Sequence, residues 1–298
     1  MSPTWEGLFC ALWTPTDQSG QLMREALRSN LAFLKMRGVH GLLALGSTGE
    51  FLQLDLKQRR EAMEEVAVAA APLRLMFNVS DIRPATVIDL ARFSRQLGAH
   101  AISLLPPYFY PVAQEDLVEF FLRAAEAAEL PLFLYNFPER TGNRIGLETI
   151  AAVAERVPVA GVKQSGSEFS YHNSLVQLGR EKGFIVLTGS DTNLGAAIPL
   201  GVKGCVSGLS NAVPELVAQA LVEAGDQRPG RPATALERLA EIGRRIQEVA
   251  FPLNVGAVMQ ARHLPVGVPK SVVSPHTQER IETLATELRQ LFHEWNLA

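Results

Sequence analysis

The chain has 298 residues, of which 47% are hydrophobic and 20% charged, with a formal net charge of −3. With no block of basic residues, that balance gives no electrostatic footprint for nucleic acid. No run approaches the 18 continuous apolar residues that a membrane span requires. The start, Met1-Ser2-Pro3-Thr4-Trp5-Glu6, lacks the basic and apolar regions of a secretory signal, so a cytoplasmic chain is expected.

Eight short runs with strand character follow in chain order: Leu8–Thr16, His40–Ser47, Arg74–Ser80, Ala99–Pro107, Pro131–Phe137, Val159–Ser165, Phe184–Ser190 and Lys203–Gly208. Amphipathic segments of helical length separate them, among them Lys57–Ala71, Pro84–Leu97, Gln114–Glu129 and Leu147–Val157. Alternating strands and helices imply parallel pairing through right-handed crossovers. Eight such units match a (β/α)₈ barrel, an α/β fold of typically ~250 residues. A doubly wound sheet would carry a glycine-rich turn after the first strand, but Thr14-Pro15-Thr16-Asp17 stands there. Residues 1–224 are thus expected to form the barrel. Residues 225–298 are expected to pack on it as a helical region, with a turn at Gly225–Pro232 and helices over Ala233–Val249, Asn254–His263 and Thr277–Trp295. Cys10 and Cys205 fall inside apparent strands and are expected as buried thiols rather than a disulfide.

In such a barrel, chemistry collects at the C-terminal ends of the strands. Lys163 closes the apolar run Val159-Ala160-Gly161-Val162 and is the one lysine of six at the end of a strand that reads as buried. Lost hydration there should lower its pKa and make a neutral, nucleophilic amine accessible, which arginine cannot offer. Strand alternation puts Phe133 and Tyr135 on one face, and Val159, Gly161 and Lys163 on one face of the next strand. Phenol and amine can then meet across one electrophile, with Gly161 expected to leave room for the lysine. Such a pair suits carbonyl chemistry: the amine condenses with a ketone and the phenol moves protons. The turn Gly46-Ser47-Thr48-Gly49 offers backbone N–H groups and two hydroxyls next to an expected helix start, a geometry that captures a carboxylate or phosphate. Arg140 is a candidate for a second anion. The six histidines show no metal-ligand spacing and none ends a strand, so no metal site is expected; His40 and His100 fall at strand starts.

The motifs G-S-T-G-E at 46–50, P-P-Y at 106–108, Y-N-F-P-E-R-T-G at 135–142, G-V-K at 161–163, G-S-D at 189–191 and G-x-x-S-G-x-x-N at 204–211 occur in order at strand ends. Together they resemble the dihydrodipicolinate synthase / N-acetylneuraminate lyase family of pyruvate-handling class I aldolases. The resemblance implies a (β/α)₈ barrel with a C-terminal helical part, a homotetramer built as a dimer of dimers, and no cofactor beyond a covalent lysine imine. It implies that Lys163 forms the Schiff base with pyruvate or another 2-keto acid and that Tyr135 transfers protons. Ser47 and Thr48 would bind the pyruvate carboxylate, Thr48 would also join the catalytic set, and Val206 would line the pocket. Tyr108 would belong to the hydroxyl relay, reaching across the dimer interface into the neighbouring protomer's site. Arg140 in P-E-R-T-G resembles the synthase, whereas Ser47 and Lys163-Gln164-Ser165 resemble the lyase branch. The expected function is an aldolase or lyase joining or splitting pyruvate and an aldehyde with a second acidic or polar end. Dihydrodipicolinate synthase proper, acting on pyruvate and aspartate semialdehyde in lysine biosynthesis, is the alternative. A catalytically silent homologue that binds a keto acid is the reading from another class.

Overall fold

In a computed structural model, which describes residues 5–226, 228 and 234–297, eight parallel strands close into a barrel in chain order. They are β1 (Gly7–Ala11), β2 (Gly41–Ala44), β3 (Arg74–Asn78), β4 (Ala101–Leu104), β5 (Leu132–Asn136), β6 (Val159–Gln164), β7 (Ile185–Thr188) and β8 (Gly204–Ser207). Each is shorter at its C-terminal end than its hydrophobic run, because the last residues leave the ladder to build the mouth of the barrel. The helices wrapped around it are α1 (Arg24–Lys35), α2 (Leu56–Ala69), α3 (Pro84–Gln96), α4 (Gln114–Ala128), the short α5 (Pro138–Thr141), α6 (Leu147–Ala154), α7 (Tyr171–Lys182), the short α8 (Leu194–Ala197) and α9 (Pro214–Gly225). Then come α10 (Thr234–Arg245), α11 (Leu253–Ala261) and α12 (Pro275–Glu294). Most of the turn expected at Gly225–Pro232, and residue 233, lie outside the described residues.

The core has two layers, as alternation on a closed sheet requires. Outward-facing strand residues such as Leu8, Leu42, Phe77 and Leu134 pack under the helices, while Phe9, Leu43, Met76, Phe133, Leu187 and Val206 fill the barrel. Trp5 plugs the lower end, its ring 5.8 Å from that of Phe9 and 5.1 Å from that of Phe133. His40 and His100 close the same end: their Nδ1 atoms accept the amides of Leu8 and Leu75 at 3.1 and 3.2 Å. Both histidines thus continue a strand ladder.

Two expectations on β6 fail, one through the register of the strand and one through the ring of Phe133. A bulge between Leu132 and Phe133 shifts the β5–β6 register, so Val159 packs with the outer layer and Ala160 with the barrel interior. Gly161 remains inside, but it accommodates Phe133 rather than Lys163: a Cβ there would come 2.5 Å from the Phe133 ring and 2.9 Å from the Ile185 carbonyl oxygen. Cys10 and Cys205, distant in sequence, lie on neighbouring strands as buried thiols. Burial pushes Cys10 up to about 12 and Cys205 well above the usual thiol range, so neither is a ready nucleophile. No helix among the described residues is long and apolar enough to cross a membrane.

Candidate active site

Beyond the bulge, β5 and β6 regain register and set Tyr135 directly beside Lys163. The lysine Nζ lies 3.9 Å from the centre of the Tyr135 ring. Both side chains are almost wholly withdrawn from solvent, at 2% and 5% exposure. Gly189 after β7 leaves room chiefly for Ser165, whose Cβ a methyl group there would meet at 3.1 Å, and only then for Lys163, whose Cε it would meet at 3.2 Å. The Tyr135 hydroxyl lies 3.3 Å from Ser47 Oγ. Burial pushes the phenol up, but the Lys163 charge and contacts with the Ser47 and Ser165 hydroxyls outweigh it and hold the pKa below the usual phenol range. Its ionised form is thereby favoured relative to a free phenol, and the hydroxyl is in reach of the turn after β2.

The turn after β2 starts at Leu45, which has φ 57°, and closes with Gly49 N donating to the Gly46 carbonyl and Glu50 N to the Ser47 carbonyl, both at 3.1 Å. The Ser47 and Thr48 amides have no acceptor among the described residues. Thr48 lines the cavity above Lys163. The helix start expected here is absent: only a single 3₁₀ turn, Phe51–Gln53, follows, and α2 begins at Leu56 under its own Asp55 cap. Any anion affinity of the turn must therefore come from amides and hydroxyls, without the dipole of a long helix.

That cavity has a volume of about 500 Å³. Val206 lies on its wall, as do Ser165 and Asp191. Its outer part is built by the C-terminal helices, through Ala240, Gly243 and Arg244 of α10 and Asn254 and Val255 of α11. Arg140, exposed, sits at the mouth with its guanidinium carbon 5.9 Å from the Phe137 ring and 5.7 Å from the Phe251 ring, both cavity residues. Its loop is held by Glu139, which accepts from the amide of Ser167 at 2.6 Å and from its hydroxyl. Arg140 makes no ion pair with any described residue, so its donors can meet an incoming group.

Tyr108 is not brought to its own chain's cavity. It is half-buried, packed towards Arg59, Asp81 and Arg83, and burial together with Asp81 pushes its phenol up. The two residues after it, Phe109 and Tyr110, are 84% and 69% exposed. Asn143 pins their loop by donating to the Pro107 and Tyr110 carbonyls at 2.8 and 2.7 Å.

Ser165 and Asp191 were visible in sequence only as polar strand-end residues with no assigned role. The Ser165 hydroxyl bears on Tyr135, and Asp191 stands near Lys163. Burial pushes the Asp191 carboxyl up against the pull of the Ser207 hydroxyl and the Leu209 and Gly208 amides. Gln164, read as a branch marker, faces away from Lys163, and its Oε1 accepts from Asn136 Nδ2 at 2.7 Å. The amide thus tethers β6 to β5. Among the described residues no group of three or more His, Cys, Asp and Glu side chains could hold a metal ion.

A buried amine facing a phenol, at the C-terminal mouth of an eight-stranded barrel, defines a lyase of the lysine Schiff-base class. The chain's relatives agree with that class. The family model for the dihydrodipicolinate synthetase family matches residues 4–291, and the protein belongs to that family. It is 28% identical to a 4-hydroxy-tetrahydrodipicolinate synthase of Natronomonas pharaonis, an alignment covering 97% of this chain and 98% of the relative. Among solved structures, it resembles YagE, a prophage protein of the dihydrodipicolinic acid synthase family from E. coli K12 in complex with pyruvate. The TM-score is 0.88 at 25% identity, over 97% of this chain and 99% of that one. CdNal of Clostridium difficile, in complex with mannosamine, shares the fold at TM-score 0.88 and 18% identity, over 96% of this chain and all of that one.

Proposed function

We propose that the protein makes or breaks a carbon–carbon bond between pyruvate and an aldehyde through an imine on Lys163. The observation that carries this reading is the register pairing of Lys163 with Tyr135 in the wall of one cavity. The neutral amine attacks the ketone carbon of pyruvate; the carbinol oxygen takes a proton from solvent and leaves as water, and the protonated imine left behind draws electrons from the adjacent methyl carbon. Tyr135, as phenolate, takes the methyl proton, so an enamine forms and attacks the aldehyde carbon. The aldehyde oxygen collects a proton from the same hydroxyl group, and water then releases the product and restores the amine. Cleavage is the reverse. Ser47 and Thr48 hold the pyruvate carboxylate with their amides and hydroxyls, and Val206 packs against the pyruvate body. Arg140 meets an acidic end of the aldehyde substrate.

The synthase reading, with aspartate semialdehyde as the aldehyde, is supported by Arg140 at the cavity mouth and by the named relatives. Tyr108 serves the relay only if a second copy covers the Phe109–Tyr110 loop, and the exposure of that loop supports an oligomer of paired chains. Two buried thiols support a cytoplasmic setting. The test is reduction with borohydride in the presence of pyruvate. One reduced pyruvate per chain on Lys163 is expected, and none in Lys163→Arg, which keeps the charge and loses the nucleophile. Label at another lysine, or an unlabelled native chain, refutes the reading and leaves the silent keto-acid binder.

A further inference from the structure

The segment 265–270, from the far end of the chain, is fastened to the loop after β1 at alternate residues. Trp13 Nε1 donates to the Val266 carbonyl at 2.8 Å, Val268 N to the Thr16 carbonyl at 2.9 Å, and Lys270 Nζ to the Thr14 carbonyl at 2.6 Å. The same ammonium pairs with Glu50 at 2.9 Å, and the two side chains are only 4% and 5% exposed. Lys270 is thus a second buried lysine, but one already committed to a carboxylate and a carbonyl. Glu50 is the residue that closes the turn carrying Ser47 and Thr48. It holds a left-handed conformation, φ 55° and ψ 41°, which a non-glycine residue keeps only when its surroundings hold it. Gly49 is pressed on the same loop: a Cβ there would come 2.8 Å from Thr14 Oγ1 and 2.9 Å from the Leu12 carbonyl oxygen.

We propose that Lys270 is a positioning residue for the carboxylate-binding turn. Through Glu50 and Thr14 it clamps the turn against the β1 loop and so fixes the Ser47 and Thr48 donors relative to Lys163. Every link is short and excluded from water, so a displacement at 270 passes to residues 47 and 48 rather than being absorbed by solvent. The C-terminal segment thereby becomes part of pyruvate binding without touching pyruvate. The inference rests on the roles of Ser47, Thr48 and Lys163 given above.

The experiment uses the full chain and borohydride trapping of pyruvate, read as the half-saturating pyruvate concentration and the limiting trapping rate, with thermal unfolding in parallel. Lys270→Met strands the Glu50 charge and so threatens the fold. The deciding variant is therefore Glu50→Gln/Lys270→Met, which leaves no charge unpaired. It is expected to fold, to raise half-saturation by about tenfold or more, and to change the limiting rate by less than about threefold, the pattern of lost ground-state binding. Lys270→Arg, which keeps the cation, is expected to return half-saturation most of the way to the native value. A folded double variant with native half-saturation overturns the proposal, and so does a double variant that cannot fold, since the pair is then a folding element. If the native chain traps no pyruvate, both this inference and the reading beneath it fail; if it traps and the double variant traps equally well, only the inference fails.

Discussion

Tyr135 shows how much one side chain can owe to neighbours from different strands. Its phenol is desolvated, which alone would make ionisation harder, yet Lys163, Ser47 and Ser165 hold its pKa below the usual range. Tyr135→Phe keeps the ring stacked beside Phe137 and deletes only the hydroxyl. The expected fall in kcat is of order 10²-fold or more, with pyruvate trapping retained. Steady-state kinetics beside a trapping assay checks this, and an unchanged kcat would return Tyr135 to a packing role. Arg140 is the residue proposed to divide the substrates. Arg140→Ala should cost ~1.5–3 kcal/mol in kcat/KM for an aldehyde with a distal carboxylate, roughly 10- to 150-fold. It should leave a neutral aldehyde and the trapping of pyruvate almost untouched. A comparison of two such aldehydes decides it, and equal losses for both would remove Arg140 from recognition.

At the scale of elements, the barrel is set by a few shape constraints. Gly161 lets the Phe133 ring cross the interior between β5 and β6. Gly161→Ala forces the ring or the Ile185 carbonyl to move, and overpacking of this kind costs ~1–3 kcal/mol. Urea denaturation should show that loss, and a neutral result would mean that the bulge relaxes to take the methyl group. Outside the barrel, α1 and α2 are joined by Glu65, whose carboxylate accepts from Arg28 at 2.5 Å and Arg24 at 3.0 Å. The bond from Arg28 is the main reason its pKa lies below the usual carboxylate range, and burial opposes the shift. Because the folded pKa is the lower one, this pairing contributes fully above the unfolded value of about 4.3 and is lost as the pH falls through the folded value. Glu65→Gln should therefore lower Tm near pH 7, and the difference from the native chain should shrink under acid. A difference that stays constant down to pH 3 would contradict the linkage.

At the scale of the whole molecule, one exposed aromatic pair bears on whether the chain pairs with a second copy. Phe109 is held with φ 82° and stands beside Tyr110, the ring centres 4.9 Å apart, with both rings in solvent. Rings presented in this way suit an interface with a second copy. Sedimentation at micromolar concentration should show a dimer or larger species, and Phe109→Ser/Tyr110→Ser should shift it towards monomer. An active native monomer would exclude the shared-site role of Tyr108.

The barrel itself was legible in the sequence because buried parallel strands write short apolar runs, and eight of them alternating with amphipathic segments leave few other topologies. The Lys163–Tyr135 pairing was legible for a related reason: strand periodicity and neighbouring order on a sheet bring the ends of β5 and β6 together. What the sequence could not carry were contacts set by side-chain volume and by chain closure. A bulge in the β5–β6 register turned Val159 outward, and the Phe133 ring filled the space beside Gly161. Asp191 and Ser165 acquired surroundings only when β7 and β8 closed on β6 and β1. Lys270, one of the six lysines, had no role until the chain's far end returned to the β1 loop and put its ammonium on Glu50. Local pattern determines which strands exist and which way they face, whereas a buried charge finds its partner only through packing between residues 220 positions apart.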